Sequence, residues 1–330
     1  MKKGLSKKAV KLLCTLAAVV VMAIIVIHHN PLADQHEENV KKIIACLTIV
    51  GAIVIFNRFY DRLVSLPSEL WQSRKLIWKL SKNDFKTRYA GSYFGRLWAF
   101  AHPVVTIMLY WFVFGHIMGA KGEMLSGGIT APYVIWLTAG LVPWFYFSEA
   151  ISNGTTALLE YSYLVKKVVF KVSIIPIIKI IGATFTHIFF AALMLVVYFA
   201  MGFKPSLYLL QLVYYSFCMF MFVLALSYTT CSLVIFFRDL TQLINICLQV
   251  GMWATPILWN INMVGETMQK ILKINPVFYI VNGYRSALFE GTWFWEDFYS
   301  TMYFWIVTVV LFGIGALIFR RLKVHFADVL

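Results

Sequence analysis

Charge is what this sequence has least of. Of its 330 residues only 13% are charged, while 61% are apolar; a soluble domain carries about 25% charged residues. That shortage excludes an ordinary soluble fold and points to a membrane protein. Metal-binding and redox patterns are missing too. The five cysteines, Cys14, Cys46, Cys218, Cys231 and Cys247, all fall in apolar runs and form no CxxC, so they read as small buried hydrophobes. His28, His29 and His36 have no cysteine or helically paired ligand beside them, so they read as a solvated loop and no metal site is expected. GHIMGAK (115–121) lacks the spacing of a phosphate-binding loop. Asn153-Gly154-Thr155 matches a glycosylation acceptor only by chance, because it lies within an apolar run.

What is present is long apolar segments. A helix crosses the hydrocarbon core in roughly 20 residues, and eight segments qualify: about 12–28, 43–60, 97–118, 131–157, 173–201, 207–236, 240–260 and 301–319. The stretch 262–296 is apolar but interrupted by Gly265, Pro276, Gly283 and Gly291, so short re-entrant or interfacial helices are expected there. The first segment follows lysines as a signal peptide would, but no A-x-A site comes after it. The chain continues HHNPLADQ, and a retained helix is expected.

The net charge is +14. In such a chain a basic excess marks cytoplasmic loops, not nucleic-acid binding. Basic clusters lie at Lys2–Lys11, in 58–96 (nine basic side chains against three acids), at Lys166, Lys167 and Lys171, and at Arg320, Arg321 and Lys323. All four fall on one side if the segments alternate, which puts both termini in the cytoplasm. The expected organisation is an N-terminal pair of spans (1–66), an interfacial helix and turn (67–96), and a six-span core (97–330).

Between the second and third spans, SELWQSRKLIWKLSKNDFK (68–86) places Lys75, Lys79, Lys82 and Lys86 at spacings of 4, 3 and 4, one stripe of a helix, with Leu70, Ile77, Trp78 and Phe85 broadly opposite. Such a helix lies in the membrane interface. Its lysines face either anionic lipid or a soluble partner. Arg88, Tyr89 and Arg96 follow, around Gly91 and Gly95. Guanidinium groups suit bidentate phosphate binding, so this junction is a candidate site for a lipid-linked phosphate or diphosphate; ordinary snorkelling to phospholipid is the alternative.

The run from Asp84, F-K-x-R-Y-x-G-S-x-x-G-x-L-W-x-x-x-x-P followed by YWFVFG (110–115), resembles the membrane subunits of type-2 ABC exporters for cell-surface polysaccharides, O antigen and teichoic acids. Segments 140–170, 236–259 and 274–291 match that family in order, so the resemblance covers about residues 70–330. It implies an all-α polytopic fold with a six-span core. The two N-terminal spans are extra to that core. It also implies a bacterial plasma-membrane location, a pair of copies of this chain, and two copies of a separate ATPase that carries the ATP and magnesium; no cofactor is expected on this chain. The substrate would be a polyprenyl-diphosphate-linked glycan moved outward. The interfacial helix and the turn at 158–171 would meet the ATPase, through Lys75, Lys79, Lys82, Lys86, Lys166 and Lys167. Spans 97–118 and 240–260 would flank a lateral opening for the lipid.

Other residues stand out. Glu149 lies at membrane depth, where a carboxylate faces protein or water; a hydrogen-bonded structural or pore-lining role is expected, since one carboxylate makes no proton relay. Arg285 and Glu290, five apart in the broken segment, form either a surface pair or an outer gate. Aromatics make up 17% of the chain. Most are expected in interfacial belts and cores, but Tyr110, Trp111, Trp144 and Tyr146 are candidates for lining a glycan path. Two competing classes remain open: a membrane enzyme acting on lipid-linked sugars, against which the cytoplasmic acids are few and scattered, and a channel or scaffold, against which no span bears a repeated charge pattern.

Overall fold

The computed structural model describes residues 7–27, 35–88, 98–119, 123–124, 130–166 and 171–330. With no water to satisfy backbone groups inside a bilayer, an apolar chain must close its hydrogen bonds within helices, and the described residues are almost wholly helical. In order they form α1 (Lys7–Ile27), α2 (Gln35–Gln72), α3 (Arg74–Thr87), α4 (Trp98–Tyr110) continued by a π-helix (Trp111–Ile117), α5 (Tyr133–Glu160), α6 (Ser162–Val165), α7 (Ile175–Ala200), α8 (Gln211–Val234), α9 (Leu240–Ala254), α10 (Glu266–Leu272), α11 (Pro276–Arg285), α12 (Phe298–Leu322) and α13 (Phe326–Val329). A two-residue antiparallel pair, Glu123–Met124 with Thr130–Ala131, ties the link before α5.

Six helical stretches are long and apolar enough to cross a membrane, and two shorter ones, Pro103–Ile117 and Leu240–Ala254, complete the eight expected segments. This is an all-α polytopic membrane protein. The segment expected at 240–260 is shorter than its hydropathy suggests. α9 stops at Ala254 because Thr255, extended at ψ 127°, precedes Pro256, and a residue before proline leaves the helical region.

The core is the stack of α5 on α7 and α8, with α12 behind α8. Helix association within lipid relies on close approach at small residues. A Cβ on Gly154 of α5 would sit 2.3 Å from Ser227 Oγ of α8, so that crossing requires glycine. α11 is nearly all buried and packs on α5 and α8. It is started by the Asn275 side chain, which accepts from the Val277 N–H at 3.0 Å, and by Pro276 in the first turn. The broken segment is thus made of short helices, and α11 is buried in the bundle.

α1 pairs with α2, and α2 lies along α12. Regular dihedrals in α2 break at Phe59 (φ −109°, ψ 20°), where the span gives way to a polar stretch. The interfacial helix expected at 68–86 is two pieces, the end of α2 and then α3, meeting at Ser73.

Candidate functional site

α3 carries two opposed stripes. Lys75, Lys79, Lys82 and Lys86 are all exposed, as their spacing requires. Offset by two residues, Ile77, Ser81 and Asp84 are buried. Ile77 packs on Ile174 and Ile178 at the start of α7. The expected apolar face is partly corrected: Trp78 is half exposed, edge-on to Phe185 at 5.5 Å, with Lys82 over its ring at 5.0 Å.

The buried stripe ends in ions. Asp84 Oδ1 accepts from Lys179 Nζ of α7 at 2.7 Å and from Tyr161 Oη at 2.6 Å, and Oδ2 pairs with Arg88 Nη2 at 3.3 Å. Arg88 Nη1 reaches Glu149 Oε1 of α5 at 2.6 Å. Lys179 also pairs with Glu160 Oε2 at 2.7 Å, whose other oxygen accepts from Thr156 Oγ1 at 2.7 Å. Two cations thus lie among three carboxylates, and the five ions come from the α3, α5 and α7 segments. Burial pushes the Asp84 carboxyl up, but hydrogen bonds from Lys179 and Tyr161 and the charges of Lys179 and Arg88 outweigh it and hold the group below the usual aspartate range. α7 makes room with a glycine: a Cβ on Gly182 would lie 3.1 Å from Arg88 Nη2 and 3.3 Å from Asp84 Oδ2.

Arg88 and Glu149 form one wall of a cavity of about 360 Å³ between α4, α5 and α7. Deeper in, Tyr146 stacks on His187 at 4.4 Å and shares a hydrogen bond with Thr184 Oγ1 at 2.8 Å. His187 Nε2 lies 3.0 Å from both Ser216 Oγ and Tyr284 Oη, which are 2.6 Å from each other. Two polar groups, the Arg88–Glu149 pair and the Tyr146–His187 stack, thus line the same cavity.

The expected site residues fare differently. Arg88 and Glu149, singled out for separate roles, are partners. Lys166 is exposed in the turn after α5, and Tyr161 of that turn binds Asp84, so the two segments expected to meet an ATPase are joined to each other. Tyr89, Arg96 and Lys167 lie outside the described residues.

The four aromatics do not form one surface in a single copy. Trp144 and Tyr146 are buried and two residues apart on α5, so they point to opposite sides. Trp144 lines a separate cavity of about 300 Å³ toward α9, where a Cβ on Gly251 would touch its ring at 3.0 Å. Tyr146 faces α7. Tyr110 is half buried and edge-on to Phe114 at 6.1 Å, while Trp111 is exposed.

Arg285 is corrected as well: it is no surface residue, being only 6% exposed. Nη1 and Nη2 donate to the Pro256 and Ile257 carbonyls at 2.8 and 2.9 Å, and the guanidinium lies 3.6 Å over the Trp136 ring. Glu290, at the end of the following π-helix, is exposed.

Sequence reasoning passed over Asp84 as an anchor and missed Lys179 altogether. A lysine inside the apolar run 173–201 was a usable signal, because ionisable groups in spans are paired.

The profile of the ABC-2 type transporters matches residues 75–289, from the lysine face of α3 to the buried α11 and the π-helix after it. The chain belongs to the ABC-2 type transporter family. Membership makes it a membrane transport subunit, with the ion network, both inner cavities and Arg285 all within the matched part of this ABC-2 chain. It is 28% identical over 258 residues to an O-antigen export system permease protein RfbA of Klebsiella pneumoniae, taking in 77% of this chain and 95% of that protein. It is 26% identical over 268 residues to the RfbA permease of Myxococcus xanthus, taking in 81% and 99%. The profile leaves α1, α2 and α12 of this ABC-2 protein outside its bounds.

Proposed function

We propose that this chain is the membrane subunit of an ATP-driven exporter that moves a lipid-linked polysaccharide of the O-antigen class outward across the bacterial plasma membrane. Two copies work with two copies of a separate ABC ATPase that holds the ATP and magnesium, and both termini and α3 face the cytoplasm. The names of the related permeases support the substrate class over teichoic acid.

The observation that carries the reading is the two-faced α3. Its four lysines are exposed, while its other face is tied to α5 and α7 through Arg88–Glu149 and Asp84–Lys179. A soluble motor pulling on the lysine face pulls on two spans. Lys166 extends that face, because its turn is held to α3 by Tyr161.

The cavity behind Arg88 is where the diphosphate head group first meets the protein. The guanidinium is already paired, so the head group must compete with Glu149 for it. Arg88 then serves substrate and coupling together, with Tyr89 and Arg96 next to it in sequence. Trp144 and the exposed Trp111 and Tyr110 border the apolar helices α9 and α4, the proposed flanks of the lateral opening.

Copurification with the ATPase tests the docking face. Lys79→Glu with Lys82→Glu should weaken the complex about tenfold or more, as for loss of electrostatic complementarity at a contact, with the permease still folded and membrane-inserted. Undiminished copurification of that double variant would remove the lysine face from the interface.

A further inference from the structure

Two helices outside the family match, α1 and α2, build one wall of a cavity of about 530 Å³. Its other walls come from α10 and the link after it, from α11, α12 and the chain between those two, and from Tyr215 of α8, at the end of the bundle opposite α3. α2 is fixed there: Tyr299 Oη at the start of α12 donates to Glu38 at 2.7 Å, and Lys42 pairs with the same buried carboxylate at 3.0 Å.

The lining has two parts. Between α1–α2 and α12 it is apolar, with Ile25, Ile44, Ala45, Ile306 and Val307. At the mouth it is polar, with Lys270, Lys273, Glu290, Asp297, Asn282 and Ser300. An apolar slot within a membrane segment, opening on a polar mouth, fits an amphiphile. The mouth decides which kind. Two lysines and two carboxylates leave it without net charge, so a bare phosphate head gains from one pair and loses to the other. A hydroxyl-rich head finds acceptors in the carboxylates and donors in the lysines and Asn282. Tyr303 adds a flat apolar surface: its hydroxyl donates to the Ile274 carbonyl at 2.6 Å, which fixes the ring at the cavity, 38% exposed.

We propose that this cavity binds a glycolipid, its chain between α1–α2 and α12 and its sugar head at the mouth. This gives the N-terminal helices a ligand-binding role that does not depend on which glycan is exported.

The test places the full chain in phosphatidylcholine nanodiscs with one of two diazirine-bearing probes of equal chain length, a glucosyl diacylglycerol or a phosphatidylglycerol, and maps labelled residues by mass spectrometry. The glucolipid should label the α2 and α12 walls about fivefold more than phosphatidylglycerol, the difference of one or two net hydrogen bonds. Ala45→Trp, which fills the apolar slot, should cut that labelling about tenfold. Glu290→Gln with Asp297→Asn leaves the mouth cationic and should turn the preference toward phosphatidylglycerol. Equal labelling of the wild type by both probes contradicts the proposal, as does undiminished labelling of a normally eluting Ala45→Trp protein. If Ala45→Trp does not fold, the acid variant decides alone, and an unchanged preference in it overturns the assignment.

Discussion

At the α3 end of the bundle, Asp84, Arg88, Glu149, Glu160 and Lys179 meet as ions contributed by separate helices. At the α11 end, Arg285 is buried against the carbonyls of Pro256 and Ile257 and the face of Trp136. The first arrangement changes whenever α3, α5 or α7 moves, because each ion depends on a partner on another element. The second clamps one guanidinium to two backbone carbonyls of a single turn and to the face of one ring. The first is a joint that can transmit a displacement between helices; the second holds its turn in place.

The largest break in this comparison is Lys179→Met. It strips a buried carboxylate of its main cation, a loss of about 3–5 kcal/mol for a buried pair. Hydrogen exchange along α3 should accelerate while α11 stays protected. Equal loosening of both ends would show that the network holds the whole bundle and not a joint. Arg285→Lys comes next, since a lysine cannot reach both carbonyls and cover the ring. Stability should fall by about 1.5–3 kcal/mol, the worth of one hydrogen bond from a charged group, with α3 exchange unchanged.

The smallest effect is that of pH. The Asp84 carboxyl is lowered in the folded protein, so its stabilisation is fully present above the ordinary aspartate value of about 4 and is lost as pH falls through the lowered folded value. α3 exchange, corrected for its intrinsic pH dependence, should be flat from pH 8 to 5. A transition near neutrality would place the controlling group elsewhere.

Much of the architecture was legible because it follows from hydropathy and spacing. The eight apolar segments, the lysine stripe and the broken segment of short helices all depend on residues close in sequence. The ion network was not, because Asp84 and Lys179 lie 95 residues apart and meet only after α3 folds back on α7. The same blindness left a surface pair open for Arg285, since the carbonyls that hold it belong to a turn nearly 30 residues earlier. Trp144 and Tyr146 look like one aromatic patch in sequence, but on a helix they are divided between two cavities. Gly182 is conspicuous only once the ion pair it accommodates is in place.

The most direct test of the joint is Arg88→Ala, measured as glycan exported per ATP hydrolysed in proteoliposomes holding the permease–ATPase complex. The variant cuts the α3–α5 link and leaves Asp84–Lys179 to hold α3 in place. The account predicts an assembled complex that still hydrolyses ATP but exports about tenfold less glycan per ATP, a coupling loss of about 1.4 kcal/mol. Wild-type export per ATP in that variant would contradict it.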